Sequence, residues 1–253
     1  MTLHSFAYAL NGRKGTISVP LSDQVFADYA RRPDPVDKGA DARDNSTYFL
    51  QYVNDAEQQP YISALAQAIQ AQTPIKDDQA RIAVSLVQHI PYKEGGSQYR
   101  YPYEVIYKNQ GVCGEKSILL ALLLKDLGFG SAVFYFLPED HMVTGIRADS
   151  PYDFRNSGYA FIEATEPFII TDSVTDPLAT NKFTSTMEIT PVGTGQALQS
   201  VTSDAADAKA WAALKAKGLT LSNTDYAAWQ ALDTKYGGLY VTAENPGGKR
   251  GTS

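Results

Sequence analysis

The single cysteine of the chain, Cys113, stands in "GVCGEKS" just ahead of the apolar run Ile118 to Leu124. A thiol becomes a useful nucleophile when held as thiolate. A helix N-terminus favours that anion through its free N–H groups and the positive end of its dipole. The leucine run requires a buried helix, which puts Cys113 at such an N-terminus. Gly111 and Gly114 on either side leave room for close backbone approach to a substrate, and the Cys113 N–H becomes a candidate oxyanion donor. Lys116 would add to the positive field and Glu115 would oppose it.

A thiolate of this kind works with an imidazole that takes up and returns its proton, and the chain offers only His4, His89 and His141. His4 lies at the amino terminus and His89 at a helix end beside Pro91. His141 opens a strand one helix and one strand beyond Cys113, so a helix running away and a strand running back return the chain to the thiol. The ring then needs a carboxylate or amide to orient it. A hairpin of strands 141–147 and 158–164 centred near residue 152 sets Glu163 opposite His141, on a strand whose other residues are apolar. An unpaired carboxylate would be costly there, so Glu163 is expected to have a partner. Asp140, Asp149 and Asp172 are the fallbacks, with Asp140 pointing away if His141 points inward. A lone cysteine is usually inert core, a strand histidine a satisfied polar residue, and a strand glutamate solvent-facing. The three in this order and placement argue for chemistry instead.

Other elements must position these residues. "SFAYALNGRKGTISVPL" reads as a β-hairpin turning at Asn11-Gly12, an amino-terminal flap or edge. Ser22 caps a short helix carrying Val25, Phe26 and Tyr29, and a polar loop runs through residues 31–46. Amphipathic helices are expected over 59–72 and 76–90, followed by a turn-rich, tyrosine-dense approach containing Tyr92, Tyr99, Tyr101, Tyr103 and Tyr107. Those tyrosines either pack an irregular segment or wall a peptide groove. Strands at 131–137, 141–147 and 158–164 favour an antiparallel meander, with further strands expected from "FIITDSV" and "TSTMEITPV". The end turns helical over 203–217 and 224–236, each closed by glycine. The fold class is therefore α+β. Its expected divisions are an N-terminal segment (1–54), a core (55–195), a helical extension (196–240) and a tail (241–253).

Composition narrows the function classes. With 22 basic and 28 acidic residues the net charge is −6, and no basic cluster offers a nucleic-acid footprint. The longest apolar run falls far short of the ~20 residues that span a bilayer, so the chain is expected to be soluble. The compartment stays open, a removed signal or anchor included. One cysteine rules out an internal disulfide. No metal motif such as H-E-x-x-H is present, no calcium loop is recognisable, and no cofactor is called for.

"LVQHIPYKEGGSQYRYPYEVIYKNQGVCGEKSILLALLLKDLGF", then "EDHMVTGI" and "YAFIEATEP", resemble the Cys block, His strand and acidic strand of the transglutaminase-like branch of papain-fold cysteine enzymes. Within that branch they are most similar to archaeal transglutaminase-like proteins. The resemblance covers roughly residues 80–170. It implies a central helix packed on an antiparallel sheet, triad roles for Cys113, His141 and Glu163, and two-step acyl transfer on a protein or peptide. Glu163 is a departure, since the family more commonly has Asp in that position. Gln88 is a candidate for polarising the acyl oxygen, with backbone capping as its other role, and Gly114 lies at the expected oxyanion site. Water as acceptor gives a protease, isopeptidase or amidase, and an amine gives a crosslinking transglutaminase. A reading of another class is a non-catalytic peptide-binding module whose groove is lined by Tyr99, Tyr101 and Tyr103.

Overall fold

The computed structural model describes residues 1–32, 45–94, 99–173, 183–218 and 220–239. Strands β1 (Thr2–Leu10) and β2 (Arg13–Leu21) form an antiparallel hairpin with Phe6 opposite Ile17. Asn11 and Gly12 both take positive φ, 50° and 78°, the turn geometry whose twist matches that of paired strands. The hairpin is not a detached flap. Its inward residues Phe6, Ile17, Val19 and Leu21 belong to the same buried cluster as the central helices.

Helix α1 (Asp23–Tyr29) begins at Ser22, whose Oγ accepts from the Val25 N–H at 3.3 Å. Helix α2 (Asn45–Val53) occupies the end of the stretch read from sequence as loop; the remainder of that loop, 33–44, lies outside the described residues. Helices α3 (Gln59–Gln70) and α4 (Lys76–Gln88) follow as expected. The tyrosine-rich approach contains a second helix hidden from periodicity, α5 (Pro102–Lys108), too short to show a repeating apolar stripe. Pro102 starts it, where a missing N–H costs nothing.

Helix α6 (Cys113–Asp126) is the hub, with every residue from Ile118 to Leu124 fully buried. Each leucine so buried contributes on the order of 2 kcal/mol. Strands β3 (Gly130–Phe136), β4 (His141–Arg147), β5 (Tyr159–Ile162) and β6 (Glu188–Thr194) make one sheet in the order β5-β4-β3-β6, all neighbours antiparallel. "TSTMEITPV" thus supplies β6, whereas the described part of "FIITDSV" (168–173) forms no strand. Helices α7 (Val201–Lys215) and α8 (Asn223–Tyr236) enclose a smaller cluster with Ile169, Trp211 and Leu239. The class is α+β. Among the described residues no helix is long and apolar enough to cross a membrane. The expected tail at 241–253 lies outside them.

Candidate active site

Cys113 is the first residue of α6 and is partly exposed. The helix start is fixed by Glu115, whose Oε2 accepts from the Val112 N–H at 3.0 Å. Glu115 is 1 % exposed, and its charge is met by Arg100. The Arg100 backbone N–H donates to Oε1 at 2.7 Å and Nη1 to Oε2 at 2.8 Å. The negative field that Glu115 would exert on the thiol is therefore largely consumed by Arg100. One turn further on, the Ser117 hydroxyl donates to the Met142 carbonyl at 3.0 Å, and Thr144 Oγ1 donates to the Ser117 carbonyl at 3.1 Å. These bonds set the start of β4 against the start of α6.

The chain returns as expected: α6 runs away from the thiol and β3 runs back, with Phe136 paired to His141. His141 Nε2 bonds Glu163 Oε2 at 2.8 Å, which leaves Nδ1 for the thiol. Burial alone would lower the His141 pKa. Hydrogen bonds with Cys113 and Glu163, and the charge of each, outweigh it and raise the pKa from 6.5 to about 10. The ring is also stacked on Phe183, centroids 5.1 Å apart and 17° between planes.

Glu163 reaches the ring by a route different from the one expected. The β4–β5 ladder pairs Thr144 with Ile162 and Arg147 with Tyr159 and ends there, with Glu163 just past β5; its centre is 153, so the same register continued would set 165, not 163, opposite His141. A single 3₁₀ turn at Phe154–Asn156, with Arg155 and Asn156 at positive φ, takes up the connection and shifts the register. Glu163 therefore sits diagonally from His141, a Cα offset of roughly 7–8 Å in a regular ladder. Its second oxygen, Oε1, accepts from the Thr165 N–H at 3.0 Å and the Thr165 hydroxyl at 2.8 Å, so the carboxylate is 2 % exposed yet fully engaged.

The other candidates lie elsewhere or do something else. Gln88 Nε2 donates to the carbonyls of Glu163 at 2.8 Å and Phe168 at 3.0 Å. Both amide hydrogens are thereby spent on backbone, and Gln88 positions the Glu163 segment instead of an oxyanion. Tyr103 is fully buried, its hydroxyl bonded to both Ser22 N–H and carbonyl at 2.8 Å. Tyr101 packs on Tyr29 and Tyr52 beneath Arg32. Neither lines the thiol. Asp172 pairs with Lys215 at 2.8 Å, and Asp140 receives the Tyr135 hydroxyl at 3.4 Å. The Asp149 carbonyl accepts from the Tyr152 N–H. His4 packs on Tyr107, and His89 Nδ1 donates to the Ser85 carbonyl at 2.7 Å. His141 is the one imidazole brought to Cys113.

Tyr99 and Tyr92 lie close enough to Cys113 for its charge to add to burial in raising their pKa values, whereas Tyr135 is raised by burial and then chiefly by Asp140. Tyr99 explains Gly114. A Cβ there would stand 2.7 Å from Tyr99 Cε1 and 2.8 Å from Met142 Sδ, so the glycine accommodates packing under Tyr99, not open access for a substrate. Gly114→Ala is expected to cost about 1–3 kcal/mol by overpacking. An unchanged melting temperature would show that the contact yields freely. Thr165, Phe183 and Arg100 carried no sequence signal, because each acts through a neighbour far along the chain.

The arrangement can hold a thiolate–imidazolium pair at a helix N-terminus, with the Cys113 N–H free of any intrahelical acceptor by its position. Among the described residues no cluster of metal-ligating side chains is present. Comparison with family models, curated proteins and solved structures finds no match to this chain.

Proposed function

We propose that the protein is a cysteine-dependent acyl-transfer enzyme with a papain-like, transglutaminase-like core, acting on an amide bond of a protein or peptide. One arrangement carries the reading: the only thiol begins a buried helix, and the imidazole whose pKa it helps to raise is held by a buried carboxylate. In this reaction the Cys113 thiolate attacks the acyl carbon. The oxyanion takes hydrogen bonds from N–H groups at the start of α6, and His141 gives its proton to the departing amine, leaving a thioester. Water, deprotonated by His141, then attacks the thioester, releasing the acid and restoring the thiolate–imidazolium pair. An amine in place of water forms a new amide. Hydrolysis is the simpler outcome because water needs no second pocket.

A peptide-binding module without catalysis loses two of its three groove tyrosines, since Tyr101 and Tyr103 are engaged in packing. The test is mass spectrometry of peptide and isopeptide libraries incubated with wild type or Cys113→Ala, with and without added amine. Products gaining water, or amine, with wild type only are expected. Identical spectra from both proteins would remove the proposal.

A further inference from the structure

Lys116 was read from sequence as a source of positive field near the thiol, but the fold uses it differently. Its side chain is fully buried. The ammonium donates to the carbonyls of Ile90 and Thr165, each at 2.6 Å, and of Gln88 at 3.3 Å. Three donors meet three acceptors. Gln88 is the last residue of α4 and Ile90 lies two residues past it, while Thr165 is the residue whose N–H and hydroxyl hold Glu163 Oε1. A charged lysine in such a place is costly unless anions stand near it. Those facing it are Glu163 and Glu166 from the segment after β5, whereas Glu115 on its own helix is paired with Arg100 and the end of α4 presents carbonyls. Burial lowers the Lys116 pKa to about 8 against the pull of both glutamates.

We infer that Lys116 is a positioning residue for the acid of the site: its buried ammonium ties Thr165 to the end of α4 and supplies the countercharge that lets Glu163 stay an anion facing His141. This rests on the acyl-transfer reading for its purpose. In the working state Glu163 is an anion held against the His141 imidazolium, and Lys116 is the second cation that faces it. Without that cation a buried carboxylate takes up a proton, and a neutral acid no longer supports an imidazolium. The thiolate is then lost first at acid pH.

The test is the pH dependence of Cys113 alkylation by iodoacetamide in wild type and Lys116→Met. The expected result is that the acid-side fall in rate moves up by about one pH unit or more, a tenfold change in the proton equilibrium, while the alkaline plateau is kept. A smaller displacement, or a loss of rate at every pH, overturns the inference, because a merely structural role would slow alkylation uniformly. If Lys116→Met does not fold, the reciprocal measurement decides. In wild type against Glu163→Gln, the Lys116 titration is followed by NMR of lysine labelled at Cε, and loss of the glutamate charge should move the midpoint further down from about 8. An unmoved midpoint overturns the coupling. A wild-type profile that falls like an ordinary thiol, at about pH 8.5, would instead remove the acyl-transfer reading, so the two failures are distinct.

Discussion

Replacing His141 by alanine should reduce turnover on any accepted substrate by about 10²- to 10⁴-fold, the usual contribution of a positioned acid–base. In the proposed reaction that group also makes the nucleophile. An unassisted thiol, with a pKa of about 8.5, is only about 1 % ionised near pH 6.5, whereas in the native site the imidazolium is stabilised by Glu163 and the thiol up to a pH of about 10. Iodoacetamide labelling separates the two effects. A more acidic thiol is a weaker nucleophile, with a Brønsted slope of about 0.4–0.5, so the height of the rate at one pH says little and the shape of the profile says much. Wild type should alkylate at a nearly level rate from mildly acid to neutral pH. His141→Ala should lose about tenfold per pH unit below the ordinary thiol range. Superimposable profiles would remove His141 from the site. The same pair makes a stability prediction. The His141 pKa is raised in the folded state, so its stabilisation is complete below about 6.5 and is lost as pH rises through about 10. The melting temperatures of wild type and His141→Ala should therefore converge over that interval.

The helix and strand that place the thiol and the imidazole were readable because their signals are local. Seven consecutive buried residues from Ile118 to Leu124 announce a hub helix, and β-branched and aromatic runs bounded by turns announce β3 and β4. Their order alone returns His141 to Cys113. The acid was found through a partly mistaken argument. Glu163 is the side chain that bonds His141, but the register that reaches it is offset by the 3₁₀ turn at Phe154–Asn156, with its two residues at positive φ. Parity rescued the assignment, since a shift of two residues along a strand keeps the same face. The tyrosines failed for a different reason. Composition marks a tyrosine-rich segment but not which rings face inward, and α5 turns Tyr103 into the core while Tyr99 remains beside Gly114. Contacts between distant residues, such as Phe183 on His141 or Thr165 on Glu163, follow from the fold and precede no motif.

Arg100→Met should be among the most destabilising single changes in the chain. Arg100 and Glu115 are both nearly buried, with side-chain exposures of 9 % and 2 %, so their pairing is not the weak surface kind. Removing one member leaves a carboxylate desolvated without a countercharge, a loss of about 3–5 kcal/mol. Methionine keeps much of the stem volume, which confines the change to charge and hydrogen bonding. Glu115→Gln added to Arg100→Met should recover a large part of that loss, because a glutamine oxygen can still accept from Val112 or Arg100 N–H without burying a charge. Urea unfolding followed by circular dichroism measures both. Additive losses in the double variant, or a single-variant loss below about 1 kcal/mol, would mean that the pair is hydrated or redundant. The functional consequence is specific to the end of the helix. Glu115 holds the Val112 N–H, and the next residue is the thiol, so with the guanidinium gone the carboxylate keeps only its two backbone N–H donors and holds the first turn of α6, which aims Cys113 at His141, less firmly. Alkylation of Arg100→Met under conditions where the protein remains folded should therefore lose its level acid-to-neutral profile. The double variant should regain stability more fully than it regains that profile, since glutamine satisfies one donor where the carboxylate satisfied three.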